Sequence, residues 1–118
     1  MLYNGFSVDI EADGLVFEAT KIWVINIEDL DTKEKLQLHP FRDASAKEKF
    51  CNWLDKYDSP NISFHNGLGY DIFALHFLLG IDFTVLPDTV EGKDVHFVDT
   101  YYLSMFLNPD REGHSIEY

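Results

Sequence analysis

Basic side chains are scarce in this chain. Nine Lys and Arg stand against 21 Asp and Glu among 118 residues, a formal net charge of −12. Proteins that hold nucleic acid through its phosphates ordinarily carry clustered Lys and Arg, so a simple electrostatic binder is disfavoured. Cysteine is reduced to Cys51 alone, which excludes an internal disulfide and suits a reducing compartment. The five His are scattered and, with one Cys, give no zinc-ligand spacing. No apolar run approaches the ~20 residues that span a bilayer. Met1-Leu2-Tyr3-Asn4-Gly5 lacks the basic start and apolar stretch of a signal peptide. No membrane association and a cytoplasmic location, that of a host cell for a viral protein, are therefore expected. There are no low-complexity tracts, repeats or linkers, so residues 1–118 read as one domain. No Ser sits in a nucleophile-elbow pattern, and no strand carries an alternating aromatic row on which bases would stack.

The acidity itself admits three readings. A metal-dependent nuclease has a carboxylate-rich site whose cations invert the local sign. A DNA mimic displays acids on its surface. A solvated acidic surface keeps a protein soluble, and composition alone favours that last reading.

The chain is rich in apolar residues, at 46%, with 15% aromatic, enough for a real core. Residues 6–12 predict a strand with Phe6, Val8 and Ile10 on one face and Ser7, Asp9 and Glu11 on the other. Asp13-Gly14 turns into a long second strand over 15–27. Residues 29–35 are charged and turn-like, and 35–39 predict a third strand that Pro40 stops. An amphipathic helix is expected over 44–57, with Phe50, Trp53, Leu54 and Tyr57 at i, i+3, i+4 and i+7. A short strand at 62–64, a turn at 65–69 and a helix at 70–79 follow. That helix is apolar nearly all round, hence expected to be buried, with His76 as a packing residue and Gly80 as its C-terminal cap. Residues 94–98 predict a fifth strand and 99–107 a third helix that Pro109 breaks. The order β-β-β-α-β-α-β-α predicts a mixed sheet with helices packed on it, the order of ribonuclease-H-like folds.

Three constellations carry chemistry. Asp9 and Glu11 project from one face of a strand. Two carboxylates aimed at one point repel unless a cation lies between them or one is protonated, and hard oxygens suit Mg²⁺ or Mn²⁺. In Phe64-His65-Asn66-Gly67-Leu68-Gly69-Tyr70-Asp71, Asp71 opens a helix. It either complements the helix dipole or faces a site at the carboxyl edge of the sheet. The Gly67-x-Gly69 pair is a poor dinucleotide fingerprint, because the third Gly and the distal acid are missing. Val98-Asp99-Thr100 reads mainly as an N-cap.

Together these blocks resemble the proofreading 3′–5′ exonuclease domain of bacteriophage-type family A DNA polymerases, within the DEDD superfamily. Asp9-Ile10-Glu11-Ala12-Asp13-Gly14-Leu15 with Thr20-Lys21-Ile22 is similar to the first exonuclease motif. Phe64-His65-Asn66-Gly67 with Tyr70-Asp71 is similar to the second. Val98-Asp99-Thr100 with Leu103-Ser104, and Gly113-His114-Ser115-Ile116-Glu117, resemble blocks that lead toward the third. The resemblance implies a ribonuclease-H-like fold and two-metal hydrolysis of single-stranded DNA 3′ ends with Mg²⁺ or Mn²⁺. It makes Asp9, Glu11 and Asp71 catalytic metal ligands, and Leu15, Asn66 and Tyr70 contacts to the terminal nucleotide. The third motif, a Tyr or His followed four residues later by Asp, would lie beyond Tyr118. A C-terminally truncated domain is thus expected, with weak or no activity by itself. A second polypeptide that completes a polymerase, or self-association, would supply the rest. The alternative is a catalytically dead, acidic exonuclease-like protein that binds or inhibits a DNA-processing partner.

Overall fold

A computed structural model describes residues 3–13, 21–64, 71–85 and 87–99. A five-stranded mixed sheet runs in the order β3-β2-β1-β4-β8. It comprises β1 (Gly5–Ala12), β2 (Ile22–Asp29), β3 (Lys35–Leu38), β4 (Asn61–Phe64) and β8 (His96–Asp99). The first three strands form an antiparallel meander, and β4 and β8 add in parallel with β1. Helices α1 (Ala46–Leu54) and α2 (Asp71–Leu79) precede β4 and follow it. A small antiparallel sheet of β5 (Phe83–Thr84), β6 (Thr89–Val90) and β7 (Lys93–Asp94) bridges α2 and β8.

The core forms where period-two strands meet helical stripes. Phe6, Val8 and Ile10 of β1, Ile25 and Ile27 of β2, and Ile62 and Phe64 of β4 bury one face of the sheet. Phe50, Trp53 and Leu54 of α1 and Ile72, Ala74 and Leu75 of α2 enter the same cluster. Gly5 permits the parallel junction at the heart of the sheet. A Cβ on Gly5 would overlap the Asn61 carbonyl, and Gly5 pairs with Asn61 in the register.

The strand β2 starts with a bulge. Glu11 pairs with Val24 but Ala12 pairs with Ile22, so Trp23 is the extra residue. The insertion shifts parity, returning Ile22 to the core at 2% exposure while Trp23 stands outward at 39%. The apolar run Ile22-Trp23-Val24-Ile25 therefore reads as one strand face change. Of the expected second strand over 15–27, residues 22–27 fall within β2, Lys21 precedes it, and 15–20 lie outside the described residues.

The first helix is shorter than its hydrophobic stripe. Asp43 Oδ1 accepts from the Ser45 amide at 2.9 Å and the Ser45 hydroxyl at 2.6 Å, holding the chain in a turn before Ala46. At the other end Lys56 and Tyr57 donate back three residues, to Trp53 and Leu54, tightening the exit. Lys93 Nζ reaches across from β7 to the carbonyls of Leu54, at 3.0 Å, and Tyr57, at 2.7 Å.

The second helix departs from its expected full burial. Ile72, Ala74 and Leu75 face the core, whereas Phe73 is 42% and Phe77 72% exposed. Near-uniform hydrophobicity hid the helix's two sides: apolar content does not tell which face a neighbour covers. His76 is likewise exposed rather than packed. Its Nδ1 lies 2.8 Å from the Ile81 carbonyl oxygen, closing the exit loop. Gly80, at φ +77°, donates to the His76 carbonyl at 3.1 Å, an αL cap as expected. The expected third helix and the segments after Asp99 lie outside the described residues.

Candidate functional site

The three parallel strands deliver their carboxyl ends to one edge of the sheet. There β1 ends in Glu11 and Ala12, β4 in Phe64, and β8 in Asp99, which is in register with Phe64. Open α/β sheets build sites at this edge, because the strand-to-helix connections leave from it.

Asp9 and Glu11 are both exposed, alternating with buried Val8 and Ile10. They stand on the sheet face opposite the core, together with half-buried Ser7. Among the described residues the ion pairs are Lys47–Glu91, Lys49–Asp43 and Lys56–Glu34, so none neutralises either acid.

A row of polar side chains crosses the sheet from Asp9. Asn26 is its register partner on β2, and Gln37 is the partner of Asn26 on β3. Gln37 Nε2 donates to Asn26 Oδ1 at 2.9 Å, and His39 Nε2 lies 3.2 Å from Gln37 Oε1. An open depression of about 500 Å³ lies over this face, lined in part by Ser7, Asp9, Asn26, Glu28, Lys35 and Gln37. Asn26 and Gln37 were not among the expected site residues. Their signal was available: two amides at outward-facing positions of strands otherwise built from Ile and Leu.

Asp71 sits elsewhere in the local geometry. It opens α2 and is buried, at 6% exposure, where the helix dipole favours a carboxylate. Among the described residues no three His, Cys, Asp or Glu side chains gather closely enough to hold an ion. Asp9 and Glu11 share a strand face, and Asp71 does not join them in such a group. Leu15, Asn66 and Tyr70 lie outside the described residues, as does the Asp99 side chain.

Cys51 is no competing nucleophile. Burial, then the neighbouring Glu91 carboxylate, pushes its thiol pKa up, which keeps it protonated and inert. No helix of the described residues is long and apolar enough to cross a membrane. Neither a protein-family model nor a curated protein matches the chain.

Proposed function

We propose that this chain is a 3′–5′ exonuclease-like domain of the phage polymerase type, with Asp9 and Glu11 as its primary ligands for Mg²⁺ or Mn²⁺. The observation that carries this reading is the acid pair itself: two exposed carboxylates on one face of β1, neither in an ion pair with another described residue. Their donor chemistry fits a hard divalent ion. The antiparallel meander followed by helix-linked parallel strands supports a ribonuclease-H-like arrangement. When bound, the ions supply charge against the scissile phosphate and lower the pKa of an attacking water. The chain's own residues do the positioning. Asp9 and Glu11 hold the ions on a rigid central strand, with Asn26 and Gln37 filling the polar floor beside Asp9. By resemblance Asp71, at the start of α2, would be the third ligand, although it does not gather with the pair among the described residues. By resemblance Leu15, Asn66 and Tyr70 orient the terminal nucleotide of single-stranded DNA.

Manganese titration during thermal unfolding tests the site. A ligand at a hundred times its Kd adds about 2.7 kcal/mol, a Tm rise of several degrees for a domain of this size. Asp9→Asn should abolish that rise. An unchanged Tm in the native chain, or an equal rise in the variant, would sink the metal site. The net charge of −12 favours one second reading, an acidic protein that kept this fold and binds a DNA-processing partner. A stable complex that survives Asp9→Asn would mark that outcome.

A further inference from the structure

Among the described residues, the outer surface carries an aromatic and cationic cluster around Trp23 and Phe41. Trp23 and Phe41 are exposed to 39% and 45%, and their rings meet edge to face with centroids 5.0 Å apart. Lys21 Nζ lies 4.7 Å from the Trp23 ring centroid, and the Arg42 guanidinium lies 5.5 Å from that of Phe41. The His39 ring adds a third contact, 6.4 Å from Phe41. Lys21 and Arg42 are two of only nine basic residues in the chain, and both stand on aromatic rings.

The position of the cluster is set by the bulge. Trp23 is the extra residue next to Val24, the register partner of Glu11. His39 follows β3 two residues after Gln37, at the far end of the polar row that starts at Asp9. Two inter-strand steps, about 10 Å, separate β1 from β3.

The geometry points to Trp23 and Phe41, with Lys21 and Arg42, as a stacking platform for the nucleotides upstream of a single-stranded 3′ end. The assignment rests on the proposed nuclease reading for the direction of the strand but not for its chemistry. Aromatic rings offer π faces to bases regardless of sequence, and the cations beside them meet phosphates. A single strand is a polyanion that presents both, whereas a duplex keeps its base faces stacked inside. The cluster also answers the objection that net charge raises: a strand needs a local cationic path, not a basic protein.

The test is oligo(dT) binding to the full chain in EDTA at low salt, followed by tryptophan fluorescence. The chain has two Trp, and Trp53 is 5% exposed, so quenching by the oligonucleotide reports Trp23. Quenching is expected. Trp23→Ala and Phe41→Ala should each weaken binding, measured by anisotropy of a labelled oligonucleotide, roughly ten-fold or more. Lys21→Gln with Arg42→Gln, which leaves the rings and the fold alone, should reduce the slope of log K against log salt by roughly 1.4. The platform is overturned if the native chain does not bind, or if Trp23→Ala and Phe41→Ala bind equally well. It is also overturned if those variants alter only self-association. Manganese stabilisation with no oligonucleotide binding would remove the platform and leave the metal site standing. Binding through Trp23 with no manganese response would do the reverse.

Discussion

At the scale of single residues, the acid that matters most for stability is not one of the exposed pair. Asp29 is buried to 8% exposure at the end of β2, inside a stretch that sequence alone marks only as charged and turn-like. Its Oδ1 accepts from the amides of Asp31 and Thr32, both at 2.8 Å, and its Oδ2 from the Tyr57 hydroxyl at 2.6 Å. The Tyr57 bond, with the turn amides behind it, holds the carboxyl at about 2. Burial, then Asp29, raises the Tyr57 pKa, so the hydroxyl stays a donor. A depressed folded-state value stabilises the protein above the ordinary carboxylate range, and that stability is lost as pH falls from about 4 toward 2. Tyr57→Phe should cost about 1–3 kcal/mol at neutral pH and flatten the acid limb of a stability–pH profile. Identical melting and acid limbs would show that the bond contributes nothing. Nothing in a string of letters separates Asp29 from Asp31, since only the packing of Tyr57 against Phe6, with centroids 5.0 Å apart, brings the hydroxyl to it.

At the scale of elements, the strands of the main sheet were largely legible because period two is a strong signal when one face is buried. The face assignment of Asp9 and Glu11 follows from the same alternation. Three things were not legible. The bulge at Trp23 breaks the period, the two-residue strands β5, β6 and β7 are too short to show one, and the helix ends depend on distant groups. Lys93 illustrates the last. It comes from β7 to hold the carbonyls of Leu54, at the end of α1, and of Tyr57 just beyond it, so Lys93→Ala should lower stability by about 1–2 kcal/mol, read by urea unfolding. A null result would mean water replaces the ammonium at no cost. Gly5→Ala attacks the β1–β4 junction instead. The methyl meets backbone rather than a movable side chain, so the strands must separate, and a loss of 2 kcal/mol or more is expected on the scale of overpacked cores, about 1–3 kcal/mol. Wild-type stability in Gly5→Ala would contradict the close approach.

At the scale of the whole molecule, charge is the dominant property. With 21 acids against nine bases, folding gathers like charges that an unfolded chain keeps apart. Monovalent salt shortens the screening length from about 30 Å at 0.01 M to about 8 Å at 0.15 M, so Tm should rise by a few degrees over that range. Asp9→Asn removes one negative charge and should shift the salt curve only slightly, while its manganese response changes completely. A salt-independent Tm would show that the acids are already compensated. The sheet order has a further consequence, for synthesis. The hairpin of β1 and β2 is finished within the first 29 residues, yet the other edge of β1 awaits Asn61, Ile62 and Ser63. At about 5–20 residues per second, a nascent chain carries that unpaired edge for seconds after leaving the ribosome. Edges of this kind recruit strangers, so polypeptides cut short before residue 61 should be the ones that aggregate or call on chaperones.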